Sequence, residues 1–94
     1  MDTQELTVEL SNVMALPEPE IIRKALYALI QKEVRMAELE IAEIRERYDM
    51  FSKEDLSKAI EDGQIAGHPA WEDYIIWKNK ENLIEHLQQL VGKR

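Results

Sequence analysis

The sequence predicts a mainly α-helical fold in one domain spanning residues 1–94, with a short N-terminal strand or extended arm followed by three helices, assembled as a homodimer. Three observations predict it. Apolar residues recur at spacings of three and four along most of the chain. The three prolines and three glycines stand where elements would begin or end. The longest apolar stripe also outruns a compact chain of this length, whose radius of gyration is only about 12–13 Å.

The first element is the arm, residues 1–16. In "ELTVELS", Leu6, Val8 and Leu10 alternate with Glu5, Thr7, Glu9 and Ser11, the period of a half-buried strand. The chain offers no second strand, so this segment is expected to pair with another chain or to lie extended on helices.

The long helix is expected over residues 19–48. Pro17 and Pro19 suit a helix start, and Glu18 and Glu20 put negative charge where the helix dipole favours it. Ile30, Val34, Ala37, Ile41, Ile44 and Tyr48 follow at spacings of 4, 3, 4, 3 and 4, a coiled-coil seam, widened at its start by Ile22, Leu26 and Leu29. About 29 helical residues span roughly 43 Å. Ile30, Val34, Ala37, Ile41 and Ile44 are therefore expected to form a dimer interface.

A short helix over residues 53–62 follows. Ser52 is placed to cap it, Asp55 stands three residues on, Phe51 is placed to staple to Leu56, and Gly63 to stop it in a left-handed conformation. In "HPAWEDY", His68 suits a cap and Pro69 a first helical position, opening a C-terminal helix over residues 69–91. On that helix Trp77, Ile84, Leu87 and Val91 form a heptad-like row.

Composition narrows the function. With 45% hydrophobic residues the chain should fold rather than stay disordered. Its formal charge of −7 disfavours phosphate backbones and anionic lipid and suits a basic partner. The start "MDTQELTVEL" lacks the basic and apolar regions of a secretory signal, no apolar run approaches the ~20 residues of a membrane span, and cysteine is absent. A cytoplasmic protein without membrane contact is expected.

Catalytic readings are weak. Glu38, Glu40, Glu43 and Glu46 crowd one helix, but a bundle metal site usually adds Glu-x-x-His pairs, and neither His68 nor His86 has a second histidine at ligand spacing. Ser52 sits in a capping sequence, and Ser11 and Ser57 have no neighbouring histidine. A strand before a helix is also how ribbon-helix-helix DNA-binding proteins begin, yet Glu5 and Glu9 would then face the phosphates. No enzyme activity, cofactor, metal or direct nucleic-acid contact is expected. A carboxylate metal-binding helical protein is the remaining alternative from that class.

The aromatic residues from Tyr48 to Trp77 read either as a small core or as a partner groove. Trp71, Tyr74 and Trp77 are candidate anchors for a partner, with Glu72, Asp73 and Glu81 candidate contacts to its basic side chains.

The order "ELTVELS…ALPEPEIIRKAL", "ELEIAEIRERYDMFSKEDLSKAIEDG" and "HPAWEDYIIWKNKENLIEHL" resembles a group of small acidic proteins of archaea and bacteria that look like antitoxins of toxin–antitoxin pairs. The positions that carry the resemblance are Tyr48, Met50, Ser52, Leu56, Gly63, Asp73, Tyr74 and Trp77; Asp49 stands where that group often has glycine. The resemblance implies a non-enzymatic protein that neutralises a basic toxin, commonly a ribonuclease. A homo-oligomeric structural module without a toxin is the alternative binding-class reading.

Overall fold

The computed structural model describes residues 1–92. It is mainly helical, with α1 over Thr3–Met14, α2 over Glu18–Tyr48, α3 over Lys53–Glu61 and α4 over Gly67–Gly92. Two compact units divide the chain, residues 1–32 and residues 33 onward, so α2 contributes to both.

The first unit corrects the N-terminal expectation, because residues 3–14 form a helix and not a strand. Leu6, Leu10 and Val13 satisfy helical spacing as well as Leu6, Val8 and Leu10 satisfy a strand, so the ends decide. Asp2 caps the start, its carboxylate accepting the Glu5 N–H at 2.8 Å. At the other end Ala15 adopts a left-handed conformation, φ 54°, and the Ser11 carbonyl accepts the Ala15 N–H and, at 3.1 Å, the Leu16 N–H. The Ser11 hydroxyl donates to the Leu16 carbonyl at 2.5 Å, fixing the turn into α2. Pro17 then presents its carbonyl to the Glu20 and Ile21 N–H groups.

In the second unit α2 ends with Arg45 and Arg47 in its last turn, where the dipole favours cations, and Asp49 turns the chain at φ 52°. Ser52 caps α3 by accepting the Asp55 N–H at 3.1 Å, and Gly63, at φ 76°, closes it. His68 keeps an extended backbone, φ −119° and ψ 124°, so the regular helix of α4 proceeds from Pro69. The His68 imidazole Nδ1 lies 2.9 Å from the Glu72 carboxylate.

The core sits in this second unit. Ile41 and Ile44 from α2, Leu56 and Ile60 from α3, and Ala70 and Trp77 from α4 form one buried cluster, with Tyr48, Met50, Ile65, Tyr74 and Ile84 packed against it. Two ion pairs set the register: Glu40 meets Lys80 at 3.2 Å and Arg47 meets Asp73 at 2.8 Å, so α4 runs antiparallel to this part of α2.

That arrangement takes three residues of the expected dimer interface into the chain's own interior. Ala37, Ile41 and Ile44 are buried within their own chain, and Ile30 and Val34 are half-buried. An apolar seam demands cover but does not specify its source; for Ile41 and Ile44 α3 and α4 supply it. The staple expected before α3 does not form either, since Phe51 is 85% exposed while Leu56 is completely buried. The Arg45 Nε donates to the Phe51 carbonyl at 3.0 Å, and its guanidinium stands 6.0 Å from the Phe51 ring, drawing that residue out over the end of α2.

Candidate functional site

Two regions compete for the role of a site, a polar lock in the second unit and an apolar face in the first. The lock begins with Asp73, a nearly buried carboxylate in the first turns of α4. One of its oxygens, Oδ2, accepts both the Arg47 Nη1 at 2.8 Å and the Tyr48 hydroxyl at 2.5 Å. Consecutive residues at the end of α2 thus hold one atom of α4. Burial, followed by the hydrogen bond to Asp73, pushes the Tyr48 phenol above its ordinary range. The Asp73 carboxylate likewise holds the Arg47 guanidinium in its charged form.

One turn along α4 from Asp73, Trp77 is fully buried, and its indole N–H donates to the Glu81 Oε2 at 2.9 Å. The other oxygen of Glu81 takes the Lys53 ammonium at 2.6 Å, and Lys53 also reaches Glu54 at 2.8 Å. The bonds to Glu54 and Glu81 raise the Lys53 pKa, and the bond from Lys53 lowers that of Glu54. Arg45 completes the arrangement, its guanidinium 5.5 Å from the centre of the Trp77 ring. Nearly every polar group here is matched with another of the same chain. This is a clamp that joins the end of α2 and the start of α3 to the first half and middle of α4.

The six residues expected to contact a partner therefore divide. Asp73 and Trp77 are buried and do not form a surface; Glu81 remains partly exposed but is engaged with Lys53 and Trp77. Trp71 and Glu72 remain exposed, and Tyr74 is half-buried. Trp71 stands edge-on to Tyr74, with ring centres 5.7 Å apart. Gly67 gives Trp71 its place, since a β-carbon there would come within 3.0 Å of the indole.

Of the glutamates on α2, Glu40 is paired with Lys80. Among the described residues no three His, Cys, Asp or Glu side chains are gathered where they would hold a metal ion. Beside Phe51 a shallow concavity of about 440 Å³ is lined by Ala42, Arg45, Glu46, Asp49 and Met50.

Of the apolar face, the sequence reading held Ile22, Leu26 and Leu29 but not the helical row on α1. In residues 1–32 Ile21 is the single buried side chain, while Leu6, Leu10, Val13, Met14, Ile22, Leu26 and Leu29 are each between 38% and 81% exposed. A groove of about 270 Å³ runs between α1 and the start of α2, lined by Leu6, Leu10, Ile21, Ile22, Ala25 and Leu26. The signal was available in the sequence: Leu6, Leu10 and Val13 repeat the 4 and 3 spacing of Ile22, Leu26 and Leu29.

No helix among the described residues is long and apolar enough to cross a membrane. No curated protein and no solved structure matches the chain. Residues 1–92 match the Uncharacterized protein MJ0235 family, and the chain belongs to that family.

Proposed function

We propose that this protein is a non-catalytic protein-association module whose association face is the α1–α2 hairpin. The observation that supports it is the contrast between one buried side chain, Ile21, and nine large apolar side chains left substantially open in the same 32 residues. Contiguous exposed apolar area of this kind marks interaction surfaces. The clamp of Asp73, Tyr48, Trp77 and Glu81 then serves the fold and not the partner.

A second reading, placed on α4 and not on the hairpin, draws on the charge of −7 and on the antitoxin resemblance: the partner there is a basic toxin-like ribonuclease encoded beside this protein, masked when bound. Exposed Trp71 and Glu72 supply an anchor and a negative group for it on α4. The test is sedimentation and pull-down of the full chain, alone and coexpressed with its genomic neighbour. Association that disappears in a Leu6→Glu, Leu26→Glu double variant supports the hairpin as the face. A chain that stays monomeric alone and captures nothing when coexpressed sinks the module reading. A neighbour product that is acidic or fails to bind removes the toxin form.

A further inference from the structure

We infer that the occupant of the hairpin's apolar face is the same hairpin of a second copy, joined two-fold into a four-helix bundle. This rests on the reading of the protein as an association module and names its partner. Two rows match in length and spacing, Leu6, Leu10 and Val13 on α1 and Ile22, Leu26 and Leu29 on α2, each at intervals of 4 and 3, and Leu6, Leu10, Ile22 and Leu26 among them line the groove. A second copy turned through a two-fold axis brings the same surface to the interface, so apolar rows of one copy meet apolar rows of the other. Two helices cannot enclose a core, whereas four can, and the open groove becomes its interior.

Area and charge favour a copy of this chain as the occupant. The exposed parts of these six side chains and Met14 offer on the order of 700 Å² per copy, near the roughly 800 Å² that each partner contributes to a stable interface of standard size. Residues 1–32 hold five acidic and three basic side chains, a balance of −2, so −5 of the chain's −7 falls on residues 33 onward. Copies of an acidic protein repel one another least through their least charged part, and that part is the one with the open apolar rows. A strongly basic partner, by contrast, has little acidic surface to recognise on the hairpin.

The experiment compares three full-length proteins, wild type, Leu26→Glu and Leu39→Glu, by light scattering and sedimentation equilibrium, with helicity followed by circular dichroism. Leu39 is 53% exposed on α2 but lies in the second unit, so its variant controls for the general effect of a charge on an apolar position. Wild type and Leu39→Glu should have twice the 11.0 kDa chain mass at micromolar concentration. Leu26→Glu should weaken the dimer about a hundred-fold or more, because symmetry buries the new carboxylate in both copies. Differently tagged copies should also co-purify through the wild-type hairpin and fail to do so through Leu26→Glu. Should Leu26→Glu not fold, Leu26→Ala provides the second variant, with a weakening of roughly ten-fold expected.

A wild type that is monomeric and fully helical up to hundreds of micromolar overturns the proposal. So does a dimer that Leu39→Glu disrupts and Leu26→Glu leaves intact. A monomer that forms a Leu26-dependent complex with a different protein sinks the second copy but leaves the association module standing. A monomer without any Leu26-dependent complex sinks both.

Discussion

The two units of this chain solve the same problem, covering an apolar helix face, to different extents. From residue 33 on, α2 has α3 and α4 to cover it, and Ala37, Ile41, Ile44, Leu56, Ala59, Ile60, Ala70 and Trp77 are buried. In residues 1–32, the start of α2 has only α1, and Ile21 alone is buried. The lesson is that helical periodicity is present in both, while burial depends on how many elements arrive. A third helix converts a stripe into a core.

The comparison breaks most sharply at Trp77. Trp77→Ala should cost about 3–5 kcal/mol, enough to unfold much of the second unit, whereas Leu26→Ala should cost well under 1 kcal/mol in a chain held monomeric by dilution. Urea melts followed by circular dichroism check the pair; similar losses would show that the two units are equally filled. Next in size is Asp73→Ala, expected to cost about 1–3 kcal/mol because the Tyr48 hydroxyl loses its acceptor at a half-buried position. Tyr48→Phe should cost less, and the double variant should be less damaging than the two losses added, a coupling that a double-mutant cycle reads directly.

The same lock carries a pH signature. Both Tyr48 and Lys53 have folded pKa values raised above their ordinary 10.0 and 10.5. Their contributions are therefore complete below pH 10 and are lost as pH rises through the higher folded values. Stability should fall on alkaline titration, and Tyr48→Phe should remove the phenol's share of that slope. Glu54 acts in the opposite sense: its pKa lies below the ordinary 4.5, so its contribution is present above that value and is lost on acidification.

Smaller effects belong to the helix ends. Ser52→Ala should lose about 1 kcal/mol by removing the acceptor for the Asp55 N–H. At Ala15 the change runs the other way. A non-glycine residue at φ 54° is strained, so Ala15→Gly should stabilise the hairpin by a few tenths to about 1 kcal/mol. A thermal melt that shows Ala15→Gly destabilising would mean that the unfolded chain's gain in freedom outweighs the strain relieved.

How much of this could be read from the sequence varies with the kind of signal. The helical class, the Ser52 cap and the left-handed Gly63 follow from local chemistry, since a hydroxyl before a helix and a residue without a side chain act through their own backbone. The Asp49 turn also follows that logic, since at φ 52° it takes the left-handed conformation that glycine adopts without steric cost. What was misread depended on partners distant in sequence. Ile41 and Ile44 announced a buried face, but only Leu56, Ala70 and Trp77, met in space, show that the cover is internal. Seven residues of "ELTVELS" fit either period, and the Asp2 cap outside that window favours the helix. Phe51 satisfied a stapling pattern, yet Arg45, six positions earlier, claims it. Asp73 and Trp77 read from the sequence as partner contacts, one acidic and one an aromatic anchor; their place inside the molecule depends on Arg47, Tyr48 and Glu81 converging on them.

Both tryptophans of the chain, Trp71 and Trp77, fall in the second unit, and residues 1–32 contain Tyr27 as their only aromatic side chain. Selective tryptophan excitation is therefore blind to the hairpin. Emission during unfolding reports the release of a buried indole from beneath the Arg45 guanidinium and from the Glu81 carboxylate, while amide ellipticity sums every helix. The native sequence thus carries an optical label on one part of itself. A difference between the two transition midpoints would measure, without added dye or engineered probe, how far the unlabelled helices melt independently of the labelled ones.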